Sequence, residues 1–215
     1  MSSLLQRSIE GDSPLPFPDW VIRLREAAFS DEIQSNKPSK EEALNAVRTL
    51  ISWAGDDPDR EGLIETPRRI ADFWQEFVEY DAGKLDTTFS AVKHNQMVAV
   101  TGMKVWSMCE HHMLPFWCDI SIAYIADDKV LGLSKFARIA HKHAHKLTLQ
   151  EQLVSDIANH VKVILGTDDV AVMAKGEHLC MSMRGIRTPH KMISSALSGQ
   201  FHQPEQRAEF LRLID

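Results

Sequence analysis

The sequence predicts an α+β protein with an antiparallel sheet, and three observations lead to this prediction. Apolar residues recur at helical spacing up to about residue 83, and β-branched and aromatic runs begin near residue 96. Two further helical segments then separate the first strand-like runs from a second pair. Strands that pair across a helical insertion favour an antiparallel sheet over a doubly wound parallel one.

Three helices are predicted in the first part of the chain, over residues 20–29, 40–55 and 68–80. Each follows residues that favour a helix start: Asp19, Ser39 with Glu42 three positions on, and Thr66 with Pro67. We expect residues 1–38 to form an N-terminal extension with one short helix. Residues 39–95 are expected to form a helical region.

The remaining residues, 96–215, are expected to form one domain around the sheet. The predicted strands cover residues 96–108 and 116–133, with a turn at Asp127 and Asp128, and then 169–176 and 177–186. Between the two pairs, helices are predicted from Ser134 to about Lys146 and from Gln150 to Leu165, with Gly166 as a stop. A last short helix is predicted over residues 204–214.

Composition limits the classes of function. The 215 residues include 24 Lys and Arg against 30 Asp and Glu, which gives a net charge of −6. This balance argues against a broad nucleic-acid or anionic-membrane surface. Because no apolar run reaches about 18 residues and no leader pattern is visible, we expect a cytoplasmic protein. Three cysteines without a secretory signal favour metal or redox chemistry over disulfides.

Two short segments carry candidate metal donors. Cys109 precedes His111 and His112, a spacing that lets one tight turn direct a thiol and an imidazole at one ion. His178 and Cys180 lie two apart in a predicted strand and are expected to face the same side. Thiolate with imidazole favours zinc. Five donors exceed a tetrahedral set, so an open, water-bearing zinc is favoured, with a closed structural zinc or simply buried cysteines as the alternatives.

A second group of residues is suited to binding an anion. Ser134 is predicted to cap a helix whose first turns hold Lys135 and Arg138, and backbone N–H groups with two cations can bind phosphate. Arg184 follows the second metal segment, and Arg69 lies on an earlier helix. The alternative is a solvated helix start and ordinary surface charges.

Gln150 and Glu151 open the second inserted helix. A carboxylate can accept two parallel hydrogen bonds from the N1–H and amino group of guanine. The alternative is that Glu151 only complements the helix dipole.

Seven motifs together resemble the GTP cyclohydrolase I family over residues 39–214, in the family's order. They are ETPRRIADF, SMCEHHMLPF, VLGLSKFARI, LQEQL, EHLCMSMRGI, SALSGQF and AEFL. The resemblance implies a tunnelling fold over residues 96–215, in which two helices back a four-stranded antiparallel sheet. It also implies a zinc-dependent enzyme that hydrolyses GTP at C8, releasing formate and forming 7,8-dihydroneopterin triphosphate. The implied assembly is a homodecamer of two pentamers with active sites at subunit contacts.

The resemblance assigns roles to individual residues. The implied zinc ligands are Cys109, His112 and Cys180. The implied catalytic residues are His111, His178 and Ser134. The implied substrate-binding residues are Gln150 and Glu151 for guanine and Lys135, Arg138, Arg184 and Arg69, with Ser134, for the triphosphate. Asp72 departs from many bacterial members, which have lysine there as a phosphate contact.

Two other functions compete with this one. A zinc nucleobase deaminase needs HxE and PCxxC motifs, and the sequence has neither. A non-catalytic, zinc-containing nucleotide sensor or oligomeric scaffold agrees better with Asp72. The surplus of metal donors argues against it.

Overall fold

The computed structural model describes residues 37–90 and 96–215. Chain contacts divide the protein into two units, one that ends at Ala71 and one that runs from Asp72 to Asp215. The helix predicted over residues 20–29 lies outside the described residues. Within the described ranges, no helix combines the length and the apolar character that crossing a bilayer requires.

The two predicted helices of the described N-terminal part are confirmed. Helix α1 (Lys40–Trp53) begins with the expected capping box, in which the Glu42 amide donates to Ser39 Oγ at 3.2 Å and the Ser39 amide donates to Glu42 Oε2 at 2.8 Å. Helix α2 (Thr66–Val78) begins at Thr66 itself, which was expected to be the cap residue, and has proline at its second position.

The described chain then alternates between strands and helices. In order, the elements are β1 (Thr88–Ser90), β2 (Met97–Cys109), β3 (Pro115–Ile125), β4 (Lys129–Leu131), α3 (Leu133–Ala144), β5 (Leu147–Thr148), α4 (Gln150–Leu165), β6 (Val170–His178), α5 (Leu179–Ser182), β7 (Met192–Leu197), a 3₁₀ turn (Gly199–His202) and α6 (Pro204–Leu213). Helix and strand segments of this kind confirm the α+β class.

The main sheet has five strands in the order β5-β2-β3-β6-β7. Strands β2, β3, β6 and β7 pair antiparallel, as expected, whereas the two-residue β5 pairs parallel with the end of β2. The described sheet is therefore mixed and has one strand more than the four expected, because the connection between α3 and α4 runs along its edge. Strands β1 and β4 form a separate antiparallel pair.

The core lies between one face of the sheet and helices α3 and α4. Alternate residues of β3 point into it and are almost completely buried: Phe116, Cys118, Ile120, Ile122 and Tyr124. They pack with buried residues of the two helices, such as Ile139 and Ile157. Full burial of each large apolar side chain stabilises the fold by about 1.5–3 kcal/mol. Packing in this core holds in place the end of the sheet at which β2 and β6 terminate.

The prediction of a strand over residues 177–186 is wrong. Strand β6 stops at His178, and the chain enters the helical turn α5, in which the Met183 amide donates to Leu179 O at 3.0 Å. Ser182 Oγ also donates to His178 O at 3.2 Å, so these carbonyls are satisfied locally instead of by a neighbouring strand. The last strand of the sheet is β7 instead, further along the chain.

The two helices between the strand pairs are confirmed, with one correction at a helix start. Helix α4 ends as predicted at Gly166, whose φ of 69° is the left-handed conformation that glycine tolerates. Helix α3 starts at Leu133 with Gly132 as its cap residue. Ser134 therefore lies inside the first turn and does not cap the helix, because the cap position falls two residues earlier than expected.

Candidate active site

Three side chains from two distant segments converge into a potential metal-binding group. Cys109 ends β2, His112 lies in the turn that follows, and Cys180 lies in α5. One donor atom from each residue lies within 4.8 Å of the others. The turn is closed by a hydrogen bond of 2.8 Å from the Met113 amide to Cys109 O, which brings the imidazole back over the thiol.

The donor set suits zinc. Tetrahedral zinc with sulfur at about 2.3 Å and nitrogen at about 2.0 Å separates these two donors by roughly 3.5 Å. Cys109 Sγ and His112 Nδ1 are 3.7 Å apart. Burial and the neighbouring Cys109 thiol raise the pKa of the Cys180 thiol. A cation among the donors counteracts this effect, because coordination favours the thiolate.

The guanidinium of Arg184 lies beside this group. Its Nη1 donates to His112 Nε2 at 3.1 Å, so the other ring nitrogen of His112 faces Cys109. Arg184 and His112 are both exposed. The donor group therefore has one solvent-accessible, positively charged side, which is suited to an anionic ligand.

His178 lies at the end of β6, next to the metal donors in the chain. Its ring stacks on Phe116 with 4.4 Å between centroids and 3° between planes. Burial, with a smaller effect of His190, lowers the pKa of His178, while Glu151 acts in the opposite direction. A mainly neutral imidazole held in one orientation is suited to proton transfer.

His111 has a different environment. It is exposed in the turn after β2, and its ring centroid is 6.2 Å from that of His112. It therefore lies at the accessible side of the donor group.

The two residues that open α4 differ sharply in burial. Gln150 is completely buried, and both the nitrogen and the oxygen of its side-chain amide form hydrogen bonds within the protein. One of these bonds joins Oε1 to His178 Nε2 at 3.0 Å. Glu151 is exposed and close enough to His178 to affect its pKa. Direct contact with a ligand is thus open to Glu151, whereas the Gln150 side chain is used inside the protein.

The cations of α3 contact a different part of the chain. Lys135 is buried and its Nζ donates to Lys84 O at 2.6 Å. Arg138 Nη1 donates to Ala82 O at 2.9 Å, while Ser134 is exposed. The backbone of residues 82–84 thus orients both cations near the start of α3.

These cations and the metal donors lie at opposite ends of the sheet. The Leu131 amide, just before α3, donates to Tyr124 Oη at 3.0 Å, whereas His178 pairs with Phe116. Eight residues of strand separate Tyr124 from Phe116, or about 27 Å. Helix α3 runs back from this end for 12 residues, or about 18 Å, and its last residue, Ala144, accepts a hydrogen bond from Ser107 near the metal donors. One chain therefore does not bring Lys135 to His178.

Known proteins are similar to this chain over most of its length. The sequence model of the family described as GTP cyclohydrolase I matches residues 43–215. A protein of Sulfurihydrogenibium named GTP cyclohydrolase 1 is 39% identical over 178 residues, covering 82% of this chain and 95% of the relative. The chain belongs to the GTP cyclohydrolase I family. A Brucella suis protein of the same name is 43% identical over 185 residues, covering 83% of this chain and 87% of the relative.

Arg69 is the one predicted site residue of this cyclohydrolase family member that lies in the other unit. It is exposed on α2, one turn into the helix. Its contact with a triphosphate stays a prediction.

Sequence reasoning missed three residues that shape the histidine environment of the cyclohydrolase chain. Phe116 stacks on His178, Ser194 contacts Gln150 at 3.1 Å, and the His190 ring lies 6.1 Å from that of His178. The first two depend on strand register, which no local pattern reveals. His190 follows the metal segment by ten positions and could have been found only as a further nearby imidazole.

Proposed function

We propose that this protein hydrolyses the guanine imidazole ring of GTP at C8, releases formate and forms 7,8-dihydroneopterin triphosphate. The observation that carries the proposal is the convergence of Cys109, His112 and Cys180 within 4.8 Å. His178 lies two residues from Cys180, and the group has one accessible side. Membership of the GTP cyclohydrolase I family supports the same reaction.

The proposed metal is zinc, held by the two thiols and His112. Zinc bound there would lower the pKa of a coordinated water to about 7 and so supply a hydroxide-like nucleophile at neutral pH. The chain supplies the proton donors. His178 or His111 protonates N7 as water adds to C8, and the ring opens. A second hydrolysis then releases C8 as formate.

The later steps rearrange the ribose. We propose that Ser134 and a histidine assist an Amadori rearrangement, after which the ring recloses with loss of one water. Each general acid or base contributes about 10² to 10⁴ to the rate.

The guanine base is proposed to bind at the start of α4. Glu151 is exposed and can accept hydrogen bonds from the N1–H and amino group of the base, a fork geometry like that with arginine. Gln150 was expected to share this role. Its buried side chain favours an indirect contribution, through the residues that it holds in place.

The triphosphate is proposed to bind Ser134, Lys135, Arg138, Arg184 and Arg69. Arg184 lies beside the metal donors of its own chain, whereas Lys135 lies at the far end of the sheet. A nucleotide with its base near His178 reaches a Lys135 most simply if a second copy of the chain supplies it. This arrangement supports a homo-oligomer with shared sites, for which we propose a decamer of two pentamers.

Shared sites predict complementation between two inactive variants. Cys180→Ala removes a metal donor, and Lys135→Ala removes a phosphate contact, so each homo-oligomer is expected to have little activity. Mixed oligomers, formed by joint refolding, contain some sites with neither substitution. At each shared site, the chain that supplies the metal donors and the chain that supplies Lys135 must both be intact. In a random mixture each condition holds at about half of the sites, so we expect GTP turnover to recover to as much as about a quarter of the wild-type value.

The control for this experiment is a mixture of Cys180→Ala with Cys109→Ala, which alter the same half of the site and should not complement. Absence of recovery in verified Cys180→Ala and Lys135→Ala mixed oligomers would show that each site comes from one chain.

The direct test of the proposed function is incubation of the zinc-loaded protein with GTP. We expect formate release and, after oxidation, the fluorescence of a pterin. Binding of GTP without either product would instead support the nucleotide-sensor alternative.

The domain boundaries are part of the proposal. We propose residues 96–215 as the tunnelling-fold catalytic domain, residues 39–95 as a helical region and residues 1–38 as an extension. The cytoplasmic location stays a prediction from sequence.

A further inference from the structure

The side-chain amide of Gln150 is oriented by its surroundings. Its Nε2 lies 3.2 Å from Ala174 O, 3.2 Å from Met192 O and 3.1 Å from Ser194 Oγ. Two of these partners are carbonyl oxygens, which can only accept. The nitrogen of the amide must therefore face β6 and β7, and Oε1 must point the other way.

The oxygen of this amide meets two donors. His178 Nε2 lies 3.0 Å from Oε1, and Cys118 Sγ lies 3.3 Å from it. Burial raises the pKa of Cys118 to about 12, so this thiol keeps its proton and donates it. Since Oε1 can only accept, His178 must carry a proton on Nε2.

The ring of His178 has little freedom to escape this bond. It is buried and lies flat on Phe116, and the hydrogen bond to Gln150 fixes its rotation about the ring normal. A neutral imidazole carries one proton, so a proton on Nε2 leaves Nδ1 as the nitrogen with a free lone pair.

We infer that Gln150 is a positioning residue, which holds His178 as the Nε2–H tautomer and makes Nδ1 the atom that exchanges a proton with the substrate. This inference rests on the proposed function, in which His178 is a proton donor. Gln150 in turn is held by Ser194 and by the strand carbonyls of Ala174 and Met192. The residue thus acts on the reaction through His178 and not by contact with guanine.

Close packing supports this role. A Cβ placed on Gly176, in β6, would lie 3.0 Å from Gln150 Oε1 and 2.8 Å from Cys118 Sγ. The absence of a side chain at this position leaves the space that the amide occupies.

The protonation state can be observed directly by neutron diffraction from deuterated crystals of the zinc-loaded protein. We expect deuterium on His178 Nε2, directed at Gln150 Oε1, and both amide deuterons of Gln150 directed at β6 and β7. Deuterium on Nδ1 with a bare Nε2, or a Gln150 amide turned the other way, would overturn the inference. This result does not depend on whether GTP is the substrate.

Kinetics separate positioning from contact with the base. Gln150→Met keeps the length of the side chain and removes both halves of the amide. We expect kcat to fall by about 10- to 100-fold, as for other residues that orient a catalytic imidazole, with little change in the KM for GTP. A rise in KM with unchanged kcat would instead indicate direct contact with the base and contradict the inference.

Gln152→Met is the matched control, because it makes the same substitution two residues along α4 on an exposed side chain. We expect kcat and KM to stay unchanged in this variant. Should Gln150→Met fail to assemble, Ser194→Ala removes one of the three acceptors and should still lower kcat without raising KM. An unchanged kcat in a Ser194→Ala protein whose neutron map shows the Gln150 amide turned away from β6 and β7 would contradict the inference. If the wild-type protein forms no product from GTP, the proposed function fails while the neutron result stands.

Discussion

Replacing Cys180 with alanine should abolish stoichiometric zinc binding and reduce GTP turnover by about 10³-fold or more. The side chain supplies one of only two thiolates in the donor group, and its loss leaves a single thiolate and His112, too few ligands for a stable site. Without the ion, water at neutral pH is a weak nucleophile toward C8. Metal analysis of the purified variant and a formate assay measure the two effects.

Cys118→Ser is the matched control, since it changes the remaining cysteine, which is buried in the core and contacts Gln150. Serine keeps a donor at that position, and we expect one zinc per chain to be retained. A Cys180→Ala protein that still binds one zinc per chain would show that this residue is not a ligand.

Replacing His178 or His111 with glutamine should leave zinc bound while lowering kcat by about 10²- to 10⁴-fold. Glutamine preserves hydrogen bonding but does not exchange a proton near neutral pH. The effect of the His178 change should be the larger, because this imidazole is buried, stacked on Phe116 and bonded to Gln150, whereas His111 is exposed. Steady-state kinetics and metal analysis on the same preparations give the comparison.

The Cys109→Ala variant provides the reference for metal loss. If either histidine variant lost zinc to the same extent as Cys109→Ala, that histidine would belong to the ligand set and not to the proton-transfer residues.

The local parts of this molecule were predictable from sequence. The capping box at Ser39 and the end of α4 at Gly166 depend on side chains and backbone conformations within a few residues. The turn that joins Cys109 and His112 likewise depends only on residues within a few positions of one another. Such features need no knowledge of the rest of the fold.

Features that depend on strand register were not predictable. The alternating residues after His178 suggested a strand, but local hydrogen bonds of Ser182 and Met183 form a helical turn instead. The proximity of Cys180 to Cys109 therefore arises from a helical turn and not from two side chains on one strand face. The spacing of His178 and Cys180 in the sequence does not show that a helical turn replaces the predicted strand.

The same limit applies to the substrate residues. Gln150 and Glu151 are neighbours in sequence, yet one is buried and bonded across β6 and β7, and the other is exposed. Lys135 suits an anion by its position in α3, but its distance from His178 follows from the direction of α3 along the sheet. Only the folded sheet shows that these residues lie in different parts of one chain.

X-ray absorption spectroscopy of the zinc-loaded protein tests the central claim most directly, because it counts the ligands of the ion. We predict two sulfur ligands at about 2.3 Å and two nitrogen or oxygen ligands at about 2.0–2.1 Å, one of which is replaced when an exogenous anion is added. A ligand shell of four protein atoms that no added anion alters, or a shell with fewer than two sulfurs, would contradict the account.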